Sequence, residues 1–171
     1  MTLTSLLKNY TAYNLWANTR LVEWLQSKPA DLWQQEVPSS FPSLHSTLLH
    51  IWSAEKVWLD RLRQVPSPVF LFQHFTGTTA EVFEGLLANS RDFATYIQAQ
   101  DETFFQETCH FRFLSGQEDG RVRADMIQHC IQHSTFHRGQ VVTIARNLGL
   151  TDPPATDYIV YVRLEAEKRT G

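Results

Sequence analysis

Four long segments with apolar residues at spacings of three and four constrain the fold of this chain most strongly. Such spacing places the apolar side chains on one face of a helix. It predicts helices over about residues 4–26, from Ser43 to shortly before Pro66, from Thr78 or Thr79 to about Ala99, and over about residues 123–147. Four amphipathic helices bury their apolar faces most readily against one another.

The connection between the third and fourth segments has a different pattern. Residues 101–123 lose the helical period, and residues 110–113 alternate polar and apolar side chains before Gly116 and Gly120. This pattern predicts an irregular link or a short hairpin. After the fourth segment, Gly149 is expected to cap the helix, and residues 156–165 predict a short helix that packs over the others.

The predicted fold class is therefore all-α: a four-helix bundle with a long crossover between helices three and four. The 171 residues, of which 43% are hydrophobic, are enough for the core of a single domain over residues 1–171. Bundles of this kind hold metal sites built from side chains on facing helices. Polar residues on the inward faces are therefore the first candidates for function.

Charge and cysteine content exclude several classes of protein. The formal net charge is −3 and no run of Lys or Arg is present, so we expect no nucleic-acid partner. Cys109 and Cys130 are too few for a disulfide framework, which favours a reducing compartment. The first residues lack a secretory signal, and no stretch approaches ~18 uninterrupted apolar residues. We expect a cytoplasmic protein without a membrane partner.

His133 and His137 lie one turn apart in the apolar stripe of the fourth predicted helix. On a helical wheel, at about 100° per residue, both histidines lie at nearly the same angle as the apolar residues Met126 and Ile144, so they face inward. An HxxxH pair on a helix directs two imidazoles at one point, as metal-binding helices do. The alternative is a pair of core histidines satisfied by hydrogen bonds. Two buried imidazoles would need several such partners, and a bound cation removes that need.

A stable metal site needs at least a third ligand, which the second helix can supply. His50 lies at the margin of the apolar stripe of that helix, whereas His45 falls toward its exposed side. His129 lies one turn before His133, but a straight helix does not easily aim three successive turns at one ion. We therefore predict a metal site formed by His50, His133 and His137, with His129 in a supporting or structural role.

The residues that follow the histidine pair carry separate predictions. Gln140 falls near His133 on the helical wheel, so we expect it to bond a metal-bound water or a neighbouring ligand. Arg138 points elsewhere and fits a salt bridge between helices or between chains. Gly139 costs up to ~1 kcal/mol relative to alanine inside a helix. That cost predicts the close approach of another backbone or of a ligand.

Three groups of residues resemble a known family. They are His50, Ile51, Trp52, Ala54, Glu55, Trp58 and Arg61, the run from His129 through Gln140, and Leu148, Gly149, Pro154, Thr156, Asp157 and Tyr158. With them the sequence resembles the DinB-like family, which is named for DNA-damage-inducible proteins and is related to the YfiT-type metal-dependent hydrolases. The resemblance spans nearly the whole chain. Gln132 departs from it, because the family often has Asn there.

The resemblance implies a divalent metal held by His50, His133 and His137 in a four-helix bundle, and it implies a homodimer. The family includes thiol-dependent enzymes such as bacillithiol S-transferases and mycothiol-dependent isomerases. Three neutral ligands leave a coordination position for water or substrate. The preferred hypothesis is therefore a metal-dependent transferase that acts on a small-molecule substrate and a thiol cofactor.

Two alternatives stay open on the sequence: a metal-dependent hydrolase, and a non-catalytic metal-containing stress protein that binds a small ligand. The sequence identifies no general base, because Glu55 lies well round its helix from His50. It does not identify the metal either, because imidazole binds zinc, nickel, iron and copper alike.

Overall fold

The computed structural model describes residues 2–66, 68–113 and 115–170. These residues form mostly helices and one small sheet, in the order α1 (Leu3–Gln26), α2 (Leu44–Leu62), α3 (Leu71–His74), α4 (Thr79–Gln98), α5 (Glu102–Gln106), β1 (Thr108–Arg112), β2 (Glu118–Val122), α6 (Arg123–Asn147) and α7 (Tyr158–Thr170). A short 3₁₀ turn, Ala30–Leu32, follows α1.

The four long helices are α1, α2, α4 and α6, and they correspond to the four predicted segments. Both α1 and α2 pack against α4 and α6, so each long helix contacts two of the other three. Their buried apolar residues form two clusters. One cluster contains Phe93, Phe105 and Met126, and the other contains Leu25 and Phe83. The prediction of a helical fold class is confirmed.

The ends of these helices follow the local sequence. Ser43 and Thr78 cap α2 and α4, each with its side chain accepting from the backbone N–H three residues on. After α6, Gly149 takes a left-handed conformation with φ of 85°. The N–H of Gly149 donates to Arg146 and that of Leu150 donates to Ala145, which satisfies two carbonyls at the helix end. The predicted cap at Gly149 is confirmed, as are the predicted helix starts at Ser43 and at Thr78, one of the two residues expected.

The crossover between α4 and α6 contains the short hairpin, which was one of its two predicted forms. Its strands are antiparallel, with Thr108 opposite Val122 and Arg112 opposite Glu118. Cys109 faces the core, where its thiol donates to the carbonyl oxygen of Arg61 at 3.2 Å. The hairpin therefore lies against the C-terminal end of α2.

The predicted helix after Gly149 is also present. In α7, Tyr158 and Tyr161 lie against aromatic rings of α1, with the Tyr158 ring 5.0 Å from that of Tyr10 and 5.2 Å from that of Tyr13. These are edge-to-face contacts, the arrangement that aromatic pairs favour. No helix among the described residues is both long enough and apolar enough to cross a membrane.

The expected close approach of another backbone at Gly139 is wrong, whereas the alternative of a ligand stays a prediction. A Cβ atom built at this position meets no heavy atom within 4 Å. The glycine therefore faces open space on α6, and packing does not require it. Gly85 in α4 shows the opposite situation, because a Cβ there would lie 2.3 Å from the ring of Trp52.

We expect Gly139→Ala to stabilise the protein by up to ~1 kcal/mol, because alanine restricts the unfolded chain more than glycine and no atom opposes the new methyl group. Gly85→Ala serves as the matched control and should destabilise by about 1–3 kcal/mol through overpacking. Urea unfolding followed by circular dichroism measures both. A destabilised Gly139→Ala variant would contradict the open environment of this position.

Candidate metal centre

The three predicted ligands come together between α2 and α6. His133 Nε2 lies 3.1 Å from His50 Nε2 and 3.1 Å from His137 Nε2. His133 and His137 are one turn apart on α6, and His50 reaches them from the facing helix α2. Among the described residues, this is the one group of His, Cys, Asp and Glu side chains close enough to share a metal ion, with ligand atoms all within 4.8 Å of one another.

The spacing of these nitrogens suits a first-row transition metal. Two nitrogens that each lie about 2.0–2.1 Å from one ion are about 2.9 Å apart at a right angle and about 3.4 Å apart at the tetrahedral angle. The two observed separations of 3.1 Å fall between these limits. His133 is therefore spaced from each of its two neighbours as two ligands of one metal ion would be.

Gln140 determines which nitrogen of His137 carries the proton. Its Oε1 lies 2.7 Å from His137 Nδ1. A carbonyl oxygen only accepts, so Nδ1–H donates to it and His137 Nε2 presents a lone pair toward the other two histidines. The prediction for Gln140 had two forms, a bond to a metal-bound water or a bond to a neighbouring ligand. The structure shows the second form, a bond to a candidate ligand. That ligand is His137 and not His133, the residue indicated by the helical wheel.

The contacts among the three imidazoles cannot all be good hydrogen bonds. His133 Nε2 faces both neighbouring Nε2 atoms, and one proton on it can point straight at only one of them. The other contact is then not a well-directed hydrogen bond. A cation between the three rings would accept all three lone pairs, so the arrangement favours a bound metal over a hydrogen-bonded cluster.

Burial keeps these imidazoles neutral. Desolvation, together with the neighbouring His137, lowers the pKa of His50 to about 4. Desolvation and the other histidines lower the pKa of His133 to about 3. Burial also lowers the pKa of His137, although the bond to Gln140 opposes that shift. All three rings are therefore uncharged near neutral pH, the state in which imidazole binds a metal.

Aromatic side chains surround the three histidines. Phe41, in the loop before α2, stacks on His50 with ring centroids 4.0 Å apart and meets His137 edge-on at 5.6 Å. Phe72 contacts His50 at 5.8 Å, and Phe136 contacts His137 at 5.1 Å. Phe136 is 64% exposed and Phe72 is 42% exposed. The surroundings are thus apolar and partly open to solvent.

The other histidines weighed on the sequence lie elsewhere. His45 Nδ1 bonds the hydroxyl of Thr79 at 2.9 Å. His129 packs edge-on against Trp58, with ring centroids 4.8 Å apart, and its ring is 6.0 Å from that of His133. Neither joins the cluster, in agreement with the preference for His50 and with a supporting or structural role for His129.

Arg138 belongs to a buried polar layer between the two apolar clusters. Its guanidinium donates to Asn14 Oδ1 at 2.7 Å and to Asn18 Oδ1 at 2.9 Å. The amide groups of these asparagines donate to Glu55 Oε2, and Asn89 donates to Glu55 Oε1. Glu55 is 0% exposed and Arg138 is 2% exposed. The predicted interhelix salt bridge is therefore an interhelix network, in which two asparagines separate the charges.

Comparisons with known proteins agree with this structure. The DinB family model matches residues 1–170, and the chain belongs to that family. The protein DinB of Bacillus subtilis strain 168 is 23% identical over 157 residues, which cover 88% of this chain and 90% of the relative.

Two crystal structures share the fold. A DinB-like protein from Bacillus cereus has a TM-score of 0.64 at 18% identity and covers 81% of this chain and 90% of its own. A DinB-like protein from Bacillus subtilis has a TM-score of 0.63 at 13% identity, and the match covers 86% of this chain and 97% of that protein. At these identities the likeness shows the fold alone.

Proposed function

We propose that this member of the DinB family is a metal-dependent enzyme of the thiol S-transferase type, with a divalent transition metal held by His50, His133 and His137. One observation carries the proposal: three neutral imidazole nitrogens converge beside an apolar, partly exposed surface. Three protein ligands with an open position are typical of catalytic sites, whereas structural sites are closed by four. Zinc, nickel and iron all suit this ligand set.

The surroundings favour a thiol over water as the activated group. Hydrolysis at a metal commonly uses a nearby general base. Among the described residues, no carboxylate joins the three histidines, and Glu55 is fully buried and bonded to asparagines. A thiol needs no such base, because coordination to a divalent metal would deprotonate it directly.

The residues around the ligands have defined roles in this proposal. Gln140 holds the proton on Nδ1 of His137, so that its Nε2 would be free to bind the metal. Phe41 stacks on His50 and limits both ring rotation and access of water. Phe72 and Phe136 offer exposed apolar surface, against which an apolar electrophile can pack.

Turnover tests the proposed function. Purified protein of measured metal content is incubated with a chloroarene or an epoxide and a panel of small thiols, and thiol-dependent loss of the electrophile is recorded. We expect turnover by the unaltered protein and by His129→Ala, and none by His137→Ala. Hydrolysis of esters or amides without a thiol would favour the hydrolase. Full metal loading with no turnover in either assay would favour a binding protein.

We expect Gln140→Leu to weaken metal affinity by about 10–100-fold, because loss of a hydrogen bond to a ligating histidine has effects of this size. The variant no longer holds the proton on His137 Nδ1. Gln140→Glu restores an acceptor and should retain the affinity. Gln132→Leu alters an exposed glutamine on the same helix and is the matched control. Competition with a chromophoric chelator measures all four proteins, and equal affinities would remove Gln140 from the site.

Several sequence predictions stay predictions. They are the homodimer, the cytoplasmic location, the absence of nucleic-acid and membrane partners, and the single domain. Size-exclusion chromatography with light scattering tests the first of them directly.

A further inference from the structure

Arg61 is a buried cation that has no counter-charge among the described residues. It is 5% exposed at the C-terminal end of α2. Within the described parts of the chain, no carboxylate forms an ion pair with it, and its Nε–H is buried without an acceptor. Other basic residues of this region differ: Lys56 pairs with Asp60, Arg63 with Asp92, and Arg112 with Glu118.

This arrangement is costly unless a ligand completes it. A buried charge that lacks an ion-pair partner loses its hydration, and contacts with aromatic rings offset only part of that loss. Burial accordingly lowers the pKa of Arg61. Proteins normally pair such a group, and the guanidinium fork matches an oxyanion through two parallel hydrogen bonds.

Aromatic rings hold this guanidinium in place. Its central carbon lies 4.6 Å from the ring centroid of Trp58, 4.6 Å from that of Phe111 and 5.3 Å from that of Phe113. Trp58 belongs to α2, and the other two rings come from the hairpin and the residue after β1. Rings contact the faces of a guanidinium, whereas its N–H groups lie in its plane, so the group is fixed but can still donate.

Arg61 and the candidate metal centre share one cleft. His50 and Arg61 are eleven residues apart on α2, which is about three turns and about 16 Å along the helix axis, so both lie on the same face. A cleft of about 270 Å³ is lined by His50, Ala54, Val57 and Arg61, with Phe72 among the residues opposite. Between His50 and Arg61 its wall is mostly apolar, with Ala54, Val57 and Trp58 on α2 and Ser53 as the polar exception.

We propose that Arg61 binds the carboxylate of an elongated small molecule whose other end reaches the three histidines. The carboxylate site follows from Arg61 and the cleft, and the metal-directed end rests on the proposed function. A carboxylate is favoured over a phosphate monoester because one guanidinium supplies one positive charge, and the rest of the cleft lining adds no second cationic residue. The substrate or thiol cofactor is thus predicted to be an acid with an apolar middle.

Four probes of equal chain length test the carboxylate site at Arg61 separately from the metal-directed end of the cleft. They are ω-mercaptooctanoate, octanoate, ω-mercaptooctanol and octanol. Isothermal titration calorimetry on the purified protein, with its metal content measured, gives each affinity. We expect each carboxylate to bind at least about 10-fold more tightly than its matched alcohol, the effect expected of a charged hydrogen bond. Arg61→Gln should abolish that preference, and Arg63→Gln should retain it.

Each failure has its own signature. Equal binding of carboxylate and alcohol by the unaltered protein, a preference that survives Arg61→Gln, or tighter binding of ω-mercaptooctyl phosphate would overturn the carboxylate site. Equal binding of the thiol and methyl probes, with the carboxylate preference intact, would instead refute the metal-directed end. Should Arg61→Gln not fold, Arg61→Lys keeps the charge but loses the fork, and it should show a reduced preference.

Discussion

Protein carrying His133→Ala is expected to lose stoichiometric metal while keeping its fold. His133 Nε2 lies within 3.1 Å of both other candidate ligand atoms, so its removal takes away the central ligand and leaves two. A four-ligand structural zinc site is worth about 10–16 kcal/mol, so one ligand accounts for about 3–4 kcal/mol, or about 100–1000-fold in affinity. Elemental analysis after dialysis, followed by chelator competition, measures the loss.

The same variant gives a thermal signature. A ligand that binds the folded state at about 1000 times its dissociation constant stabilises that state by about 4 kcal/mol. Added metal should therefore raise the melting temperature of the unaltered protein and leave that of His133→Ala unchanged. His133 belongs to neither apolar cluster, so the metal-free variant should fold normally.

His129→Ala is the matched control for this experiment. It removes an imidazole one turn earlier on α6, where the ring packs against Trp58. This variant should keep its metal and its metal-dependent stabilisation. Unchanged stoichiometric metal in His133→Ala, or loss of metal in His129→Ala, would overturn the ligand assignment.

Regular helices explain why the sequence predicts the histidine cluster. Each of the three side chains lies well inside a long helix, where direction follows from the period of 3.6 residues alone. The position of His133 and His137 in the apolar stripe therefore predicts that they face another helix. His50 lies at the margin of the apolar stripe of its own helix, which predicts that it lies beside the pair. The structure shows the contact between His50 and His133.

Features that depend on loops or on several helices at once are not predictable in this way. Phe41 stacks on His50 from an irregular loop. A loop has no regular period, so the directions of its side chains do not follow from the sequence pattern. The partner of Gln140 depends on side-chain rotamers, because two histidines lie within its reach on the same helix. The cost of Gly139 suggests a close neighbour, but an intrinsic propensity does not report what surrounds a residue.

The buried polar layer shows the same limit. Asn14 and Asn18 come from α1, Glu55 from α2 and Arg138 from α6. On each helix alone they are one or two polar residues, which do not indicate a network shared with the other helices. Only the packing of the long helices brings them together, and it leaves Glu55 and Arg138 within one set of hydrogen bonds.

Glu55→Leu is expected to destabilise the protein by about 3–5 kcal/mol, because it leaves Arg138 as a buried charge without compensation. Asn14 and Asn18 also lose the acceptor of their amide groups. Arg138→Met should destabilise the protein by a similar amount, because it leaves the buried carboxylate of Glu55 without a compensating positive charge. Urea unfolding monitored by tryptophan fluorescence gives the free energy of unfolding of each variant.

The double variant Glu55→Leu with Arg138→Met distinguishes a charge network from ordinary packing. The double variant has neither buried charge, so no charge is left without compensation. Its loss of unfolding free energy should therefore be clearly smaller than the sum of the losses in the two single variants. Strict additivity would mean that Glu55 and Arg138 act independently, in contradiction to the shared asparagine contacts. Lys56→Ala changes an ion pair next to Glu55 in sequence and should cost about 1 kcal/mol or less. A comparable loss in that control would show instead that α2 is sensitive to any substitution in this turn.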